Sequence, residues 1–260
     1  MDFIPPHSAL FNASYQEAPF TNPTIRVAFQ SALQIIAQVL GVNAKGSGAH
    51  LADDLLVWFR NLGFTEDPDF CRAMEPYLED KVLRARIWRV YALCWAAKSA
   101  MNLPGHFVDI GCYDGKTIDV MRRFIRYEKL EKDWVLYDLF DYHPTERSKQ
   151  FHGPELYGKV CAMFADTPRI KVVKGFLPQS MTGTLPDLIA FAQIDLNSAA
   201  VEIDCLKIVL ERMTPGGMIV LDDYGFKRYH ESYASQKKLA ESMGQVIFES
   251  PTGQGILIKR

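Results

Sequence analysis

Residues 107–121 read Phe107-Val-Asp-Ile-Gly-Cys-Tyr-Asp-Gly-Lys-Thr-Ile-Asp-Val-Met121. Phe107, Val108 and Ile110 suit a buried parallel strand. Gly111 and Gly115, four residues apart, allow close backbone approach or positive φ. Thr117, Ile118, Val120 and Met121 then take up helical spacing. The stretch therefore predicts a strand, a tight turn and a helix whose first backbone N–H groups are free for a ligand.

Working outward, strand-like and helical runs alternate beyond Pro104. Strands are expected at 107–110, 134–137, 170–173, 188–194 and 218–221, with helices at 116–129, 146–166 and 200–213. That alternation predicts a doubly wound parallel sheet with right-handed crossovers. After a helix near Ser232 to Met243, the runs Val246–Glu249 and Gly255–Lys259 are joined only by Ser250–Gln254, too short for a parallel crossover. The fold class is α/β, a mostly parallel seven-stranded sheet ending in an antiparallel hairpin.

The front of the chain reads differently. Residues 1–23 carry Pro5, Pro6, Pro19 and Pro23 among aromatic residues, so no regular structure is expected there. Helices are expected from Pro23 to Val42, from Leu51 to Leu62, from Asp67-Pro68 onward, and from Lys81 to Met101. The chain thus divides into a helical section, 1–103, and a catalytic-type domain, 104–260. The front section carries no chemical motif and is a candidate lid, acceptor-binding wall or dimer surface.

With 260 residues, 48% of them apolar, the chain can bury a sizeable core. A formal charge of -2 and a pI near 6.3 give no electrostatic case for nucleic acid or an anionic membrane, which points to small-molecule chemistry. Cys71, Cys94, Cys112, Cys161 and Cys205 are scattered, with no zinc spacing, as expected of reduced thiols in a cytoplasmic protein. No run approaches eighteen apolar residues, so no membrane span is expected.

In an open α/β sheet ligands bind beyond the carboxyl ends of the strands. Those ends are acidic here: Asp109 and Asp114, Asp138 and Asp141, Asp195, then Asp222 and Asp223. The turn reads Asp109-x-Gly111-x-Tyr113-x-Gly115, whereas a dinucleotide fold wants Gly-x-Gly-x-x-Gly. It resembles the first motif of class I S-adenosylmethionine (SAM) methyltransferases, with Tyr113 in place of the middle glycine. SAM carries a sulfonium and an ammonium, which favour nearby carboxylates. Asp138 can accept both hydrogen bonds of a ribose diol, and Gly175 with Phe176 can cover an adenine.

Gln193-Ile-Asp-Leu-Asn197, Thr214-Pro-Gly-Gly-Met-Ile-Val-Leu-Asp-Asp-Tyr-Gly225 and Pro251-Thr-Gly-Gln-Gly255, taken with Asp109-Ile-Gly111, resemble the macrocin O-methyltransferase (TylF-like) family over residues 105–260. The resemblance implies a SAM-dependent O-methyltransferase acting on a sugar or glycoside hydroxyl, with a metal on Asp195, Asp222 and Asp223. Three converging carboxylates repel one another unless a cation sits between them, and oxygen donors suit Mg²⁺. Such an ion would acidify a substrate hydroxyl and aim it at the methyl carbon.

The family pattern commonly has a second Asp, able to act as general base, where this chain has Asn197. An amide cannot take a proton at neutral pH. His143 and His230, after strand ends, are the candidate bases, and Tyr224, Tyr229 and Tyr233 are candidates to line the acceptor pocket. Two other readings stand beside this one: a methyltransferase fold that binds without catalysis, suggested by Tyr113 and Asn197, and a nucleotide-dependent oxidoreductase. The glycine spacing and the terminal hairpin disfavour the second.

Overall fold

A computed structural model describes residues 23–42, 48–141, 153 and 155–260. The chain forms two compact units that divide between Ala92 and Leu93, inside a helix rather than at Pro104.

The first unit holds α1 (Pro23–Val39), β1 (His50–Ala52), β2 (Leu55–Val57), α2 (Pro68–Met74), α3 (Lys81–Arg84) and the start of α4 (Ile87–Ala100). α2 begins as its sequence predicts, with Pro68 in the first turn and the Asp67 carboxylate accepting from the N–H groups of Asp69 and Phe70. Two expectations fail here. The stretch 51–62 is not a helix: His50–Ala52 and Leu55–Val57 pair antiparallel around Asp53 and Asp54, both at φ 57°. Aspartate tolerates that left-handed conformation better than most residues, which lets the two-residue turn close.

The same turn breaks the long helix expected at 81–101. Asp53 reaches across to accept from the Trp88 and Arg89 N–H groups, at 3.1 and 2.9 Å, while its own N–H donates to the Ala85 carbonyl at 2.8 Å. Backbone groups that would carry a helix through Ala85 and Arg86 are thereby used by the side chain and the backbone N–H of Asp53. His50 Nε2 lies 3.0 Å from the Asp53 carboxylate, and both residues are buried. None of this is visible in local periodicity.

The second unit continues with β3 (His106–Ile110), α5 (Lys116–Ile125), β4 (Trp134–Asp138), α6 (Leu156–Met163), β5 (Ile170–Lys174), β6 (Ile189–Ile194), α7 (Ala199–Arg212), β7 (Met213–Leu221), α8 (His230–Ser242), β8 (Ile247–Glu249) and β9 (Gly255–Ile258). Of the helix expected at 146–166, residues 146–152 and 154 lie outside the described residues. The sheet order is β5-β4-β3-β6-β7-β9-β8, with β9 antiparallel to β7 and to β8 and the other pairs parallel. The reversed terminal hairpin expected from the short Ser250–Gln254 connection is therefore present.

Side-chain alternation splits the core across the sheet. Phe107, Trp134 and Phe191 pack edge to face on one side, with ring centroids 5.3 to 6.3 Å apart. Val108, Ile110, Val135, Tyr137, Ala192 and Ile194 face the other, against Cys205, Leu206, Val209 and Leu210 of α7.

Between β3 and β6 the strand order reverses, and the two strand ends lie unusually close. Gly111 has φ 97°, and a Cβ placed on it would sit 1.9 Å from the Asp195 carbonyl oxygen. Replacing Gly111 with Ala is expected to cost well over the ~1 kcal/mol of a left-handed alanine, because the methyl also collides with backbone. Gly183→Ala, at φ 75° with nothing within 4 Å of the added Cβ, isolates the conformational part. Urea unfolding of the two variants measures the difference, and equal losses would contradict the contact.

Candidate functional site

Backbone hydrogen bonds tie the strand ends into one rim. Gly111 N–H donates to Tyr137 O at 2.8 Å, Asp195 N–H to Ile110 O at 2.8 Å, Asp222 N–H to Ile194 O at 3.0 Å, and Gly175 N–H to Asp138 O at 3.1 Å. The residues singled out at four different strand ends are thus brought to one edge of the sheet.

Asp109 is fully buried, and neither carboxylate oxygen has a hydrogen-bond partner among the described residues. A charged carboxylate so placed is costly. Burial, and then the charges of Asp138 and Asp222, hold its carboxyl well above the usual range. Asp138 closes β4 and accepts from Tyr113 N–H and Phe140 N–H, both at 2.8 Å. Tyr113, where the resembled motif has a glycine, keeps the left-handed backbone a glycine would take, at φ 46°, and uses its N–H to hold Asp138. Gly115 caps α5 at φ 75°. Gly175 and a largely exposed Phe176 line a depression of about 710 Å³ with Leu177, Gln179 and Ser180.

On the other side of the reversal, Asp195 and Asp223 are half-buried and Asp222 is buried. The terminal hairpin reaches this point. Gly225 N–H donates to Gly253 O at 2.7 Å, and the fully buried Gln254 donates through Nε2 to Asp222 Oδ1 at 2.9 Å. Ser250 Oγ accepts from Gln254 N–H at 3.1 Å, fixing the loop. The stretch Pro251-Thr-Gly-Gln-Gly255 therefore positions an acid of the rim.

Asp195, Asp222 and Asp223 offer the oxygen donors that a hard cation takes. Among the described residues, however, no three His, Cys, Asp or Glu side chains are gathered as a metal centre. As arranged they do not form a coordination sphere, and no chemical step is assigned to an ion here. Asn197 and His230 are exposed, and His230 stacks on Tyr233 with centroids 6.3 Å apart. His143 lies outside the described residues. Tyr224 is buried against Tyr233 at 4.7 Å, which places it in the core.

Glu202 and Gln254 do not emerge from the sequence reading as site residues. Glu202 lies on the buried face of α7, accepts from Gln236 Nε2 at 3.0 Å, and is pushed up to about 7 chiefly by burial, with Asp223 adding to the rise. A glutamate in register with Cys205, Leu206 and Val209 on an otherwise apolar helix face is the signal that could have found it.

Against known proteins, residues 162–250 match the model of the macrocin-O-methyltransferase (TylF) family. The solved structure of the O-methyltransferase NovP is similar, with TM-score 0.57 and 14% identity over 67% of this chain and 80% of that one. So are ligand-free CalS11, a TDP-rhamnose 3'-O-methyltransferase of calicheamicin biosynthesis (0.52, 15%, 75% and 89%), and the S-adenosylhomocysteine-bound methyltransferase PaMTH1 of Podospora anserina (0.50, 12%, 74% and 88%). At such identities these structures show the fold, that of class I methyltransferases. Comparison with curated proteins gives no match. No helix among the described residues is long and apolar enough to cross a membrane.

A carboxyl whose value is raised in the folded state stabilises that state fully below its unfolded value and loses the contribution as pH rises through the folded value. For Glu202 the window runs from 4.5 to about 7, and for Asp109 it begins in the ordinary aspartate range and extends well above it. The ligand-free melting midpoint should therefore fall as pH is raised across this range. Asp109→Asn should flatten the profile and melt above the wild type at alkaline pH; superimposable profiles would return Asp109 to an ordinary carboxylate.

Proposed function

From the match of residues 162–250 to the macrocin-O-methyltransferase family model, we propose that the chain is a TylF-like methyltransferase that transfers a methyl group from SAM to a hydroxyl of a small molecule, a sugar or glycoside. The observation that carries SAM as the donor is the buried, unpartnered carboxyl of Asp109 beside Asp138 and Asp222. Burial and the charges of Asp138 and Asp222 both oppose ionisation of Asp109; a positively charged ligand favours the ionised form, whereas a phosphate-bearing dinucleotide opposes it further.

Asp109 would act on the cationic part of the cofactor through its field. Asp138, held by the N–H groups of Tyr113 and Phe140, would accept from a ribose diol, and the turn at Gly111, Tyr113 and Gly115 brings backbone beside it. Gly175 and Phe176 would cover the adenine. When bound, SAM supplies an electrophilic methyl: the acceptor oxygen bonds to carbon as the carbon–sulfur bond breaks, and the bonding pair stays on sulfur. The residues of the rim orient the acceptor hydroxyl, and its proton leaves to a base. Asn197 cannot be that base; His230, exposed at the start of α8, is a candidate.

The sugar acceptor is supported by the family match and by the acceptor named for CalS11. The cytoplasmic setting is supported by five free cysteines. The division of labour between residues 1–103 and 104–260 remains part of this reading, with the front section serving the acceptor. A methyltransferase fold that binds SAM without turnover is the second reading, and Asn197 is what favours it.

Asp138→Ala should weaken SAM binding by about 1 to 3 kcal/mol, the cost of taking a charged acceptor from buried hydroxyls. Calorimetry on the folded variant checks this, and an unchanged affinity removes Asp138 from the site. Assistance by Mg²⁺ requires that binding draw Asp195, Asp222 and Asp223 together. Mg²⁺ should then raise the melting midpoint of the wild type and leave Asp222→Asn and Asp223→Asn unmoved; no rise in the wild type removes the metal from the account.

A further inference from the structure

Asn197 follows β6, on the short loop that opens α7, and its side chain is exposed. Its Oδ1 accepts a hydrogen bond from the phenol of Tyr229, which lies thirty-two residues on, in the 3-10 turn Lys227–Tyr229 that leads into α8. The phenol oxygen in turn accepts from Nη2 of Arg228, whose guanidinium lies over the Tyr229 ring at 4.4 Å.

The polarity of this chain of contacts follows its donors. A guanidinium only donates, so Arg228 occupies a lone pair of the Tyr229 oxygen, and the single phenol proton goes to Asn197 Oδ1. An ordinary phenol keeps its proton at neutral pH, so the Tyr229 hydroxyl is a donor there. Asn197 therefore has its carbonyl end engaged, and its Nδ2–H₂ is the end left for a ligand.

That outcome inverts the chemistry expected of the position. A carboxylate there could take a proton from the acceptor; this amide gives a hydrogen bond to it. We propose that Tyr229 is a positioning residue that fixes Asn197 as a hydrogen-bond donor to an oxygen lone pair of the methyl acceptor. The chain runs directly from Asn197 to Ala199 and from Tyr229 to His230, and both Ala199 and His230 line a cleft of about 700 Å³ between α7 and α8. Asn197 and Tyr229 lie close in sequence to two residues that line this cleft. Recognition at Asn197 thus selects a hydroxylated or ether oxygen with a lone pair to offer, and proton removal falls to another group. The inference rests on the strand-end rim being the site of methyl transfer.

Two measurements test it, and only the second depends on turnover. With ¹⁵N-labelled asparagine, the Asn197 side-chain N–H₂ signals are those lost in Asn197→Asp. They should shift in Tyr229→Phe, a variant whose melting midpoint verifies that it is folded; unchanged signals would overturn the contact. Turnover is then read on a panel of methyl glycosides with SAM. Tyr229→Phe should raise KM for the glycoside about threefold to tenfold, the scale of one neutral hydrogen bond, with kcat nearly unchanged. Asn197→Asp should add an ionisation on the acid side of the pH profile that the wild type lacks. A fall in kcat with KM unmoved, or identical pH profiles, would overturn the donor role. Absence of methyl transfer by the wild type across the panel would count against the proposed function instead, and the Asn197 signals would still decide the contact.

Discussion

The close approach of two strand ends, Gly111 after β3 and Asp195 after β6, is the constraint on which the site depends. No side chain fits between them, since a Cβ on Gly111 would lie 1.9 Å from the Asp195 carbonyl oxygen. This is also where the sheet changes direction: β4 and β5 lie to one side of β3, and β6 and β7 to the other. A crevice opens at such a reversal because the connections leave it in opposite directions. The tight contact lies at that reversal, on the same edge of the sheet as the acids of the neighbouring strand ends.

Those acids are held in place although their charges oppose it. Burial, and then the nearby charges of Asp138 and Asp222, raise the Asp109 carboxyl. Backbone N–H groups of Tyr113 and Phe140 steady Asp138, and Gln254, presented by the β8–β9 hairpin, steadies Asp222. Asp109 has no such help among the described residues and carries the cost. Functional sites commonly concentrate strain and desolvated charge that a purely structural region would shed. The reversed hairpin thus does more than close the sheet, since its loop supplies the amide that fixes Asp222.

Much of the fold was legible because its signals are local. Phe107–Ile110, Trp134–Tyr137 and Ile170–Val173 are short apolar runs punctuated by turns, and the five-residue Ser250–Gln254 connection permits only a hairpin. What was not legible is tertiary. Leu51–Leu62 has helix-compatible spacing, yet the turn at Asp53-Asp54 is held by the backbone of Trp88 and Arg89, thirty-five residues away in sequence. That same bond splits the helix expected at 81–101. In the site, the acids after each strand could be read from the topology. The contacts that hold Asp222 and Asn197, from Gln254 and Tyr229, join segments that no spacing rule relates.

In the proposed function the buried Asp109 carboxyl, without a hydrogen-bond partner among the described residues, meets the positive charge of SAM. Calorimetry of SAM binding at neutral pH, repeated in buffers of different ionisation enthalpy, measures the protons exchanged on binding. The expected result is release of protons by the wild type, as the bound positive charge brings the Asp109 carboxyl down, and a smaller release by Asp109→Asn. Binding of SAM with no proton exchange in the wild type, or with the same release in the variant, would contradict it.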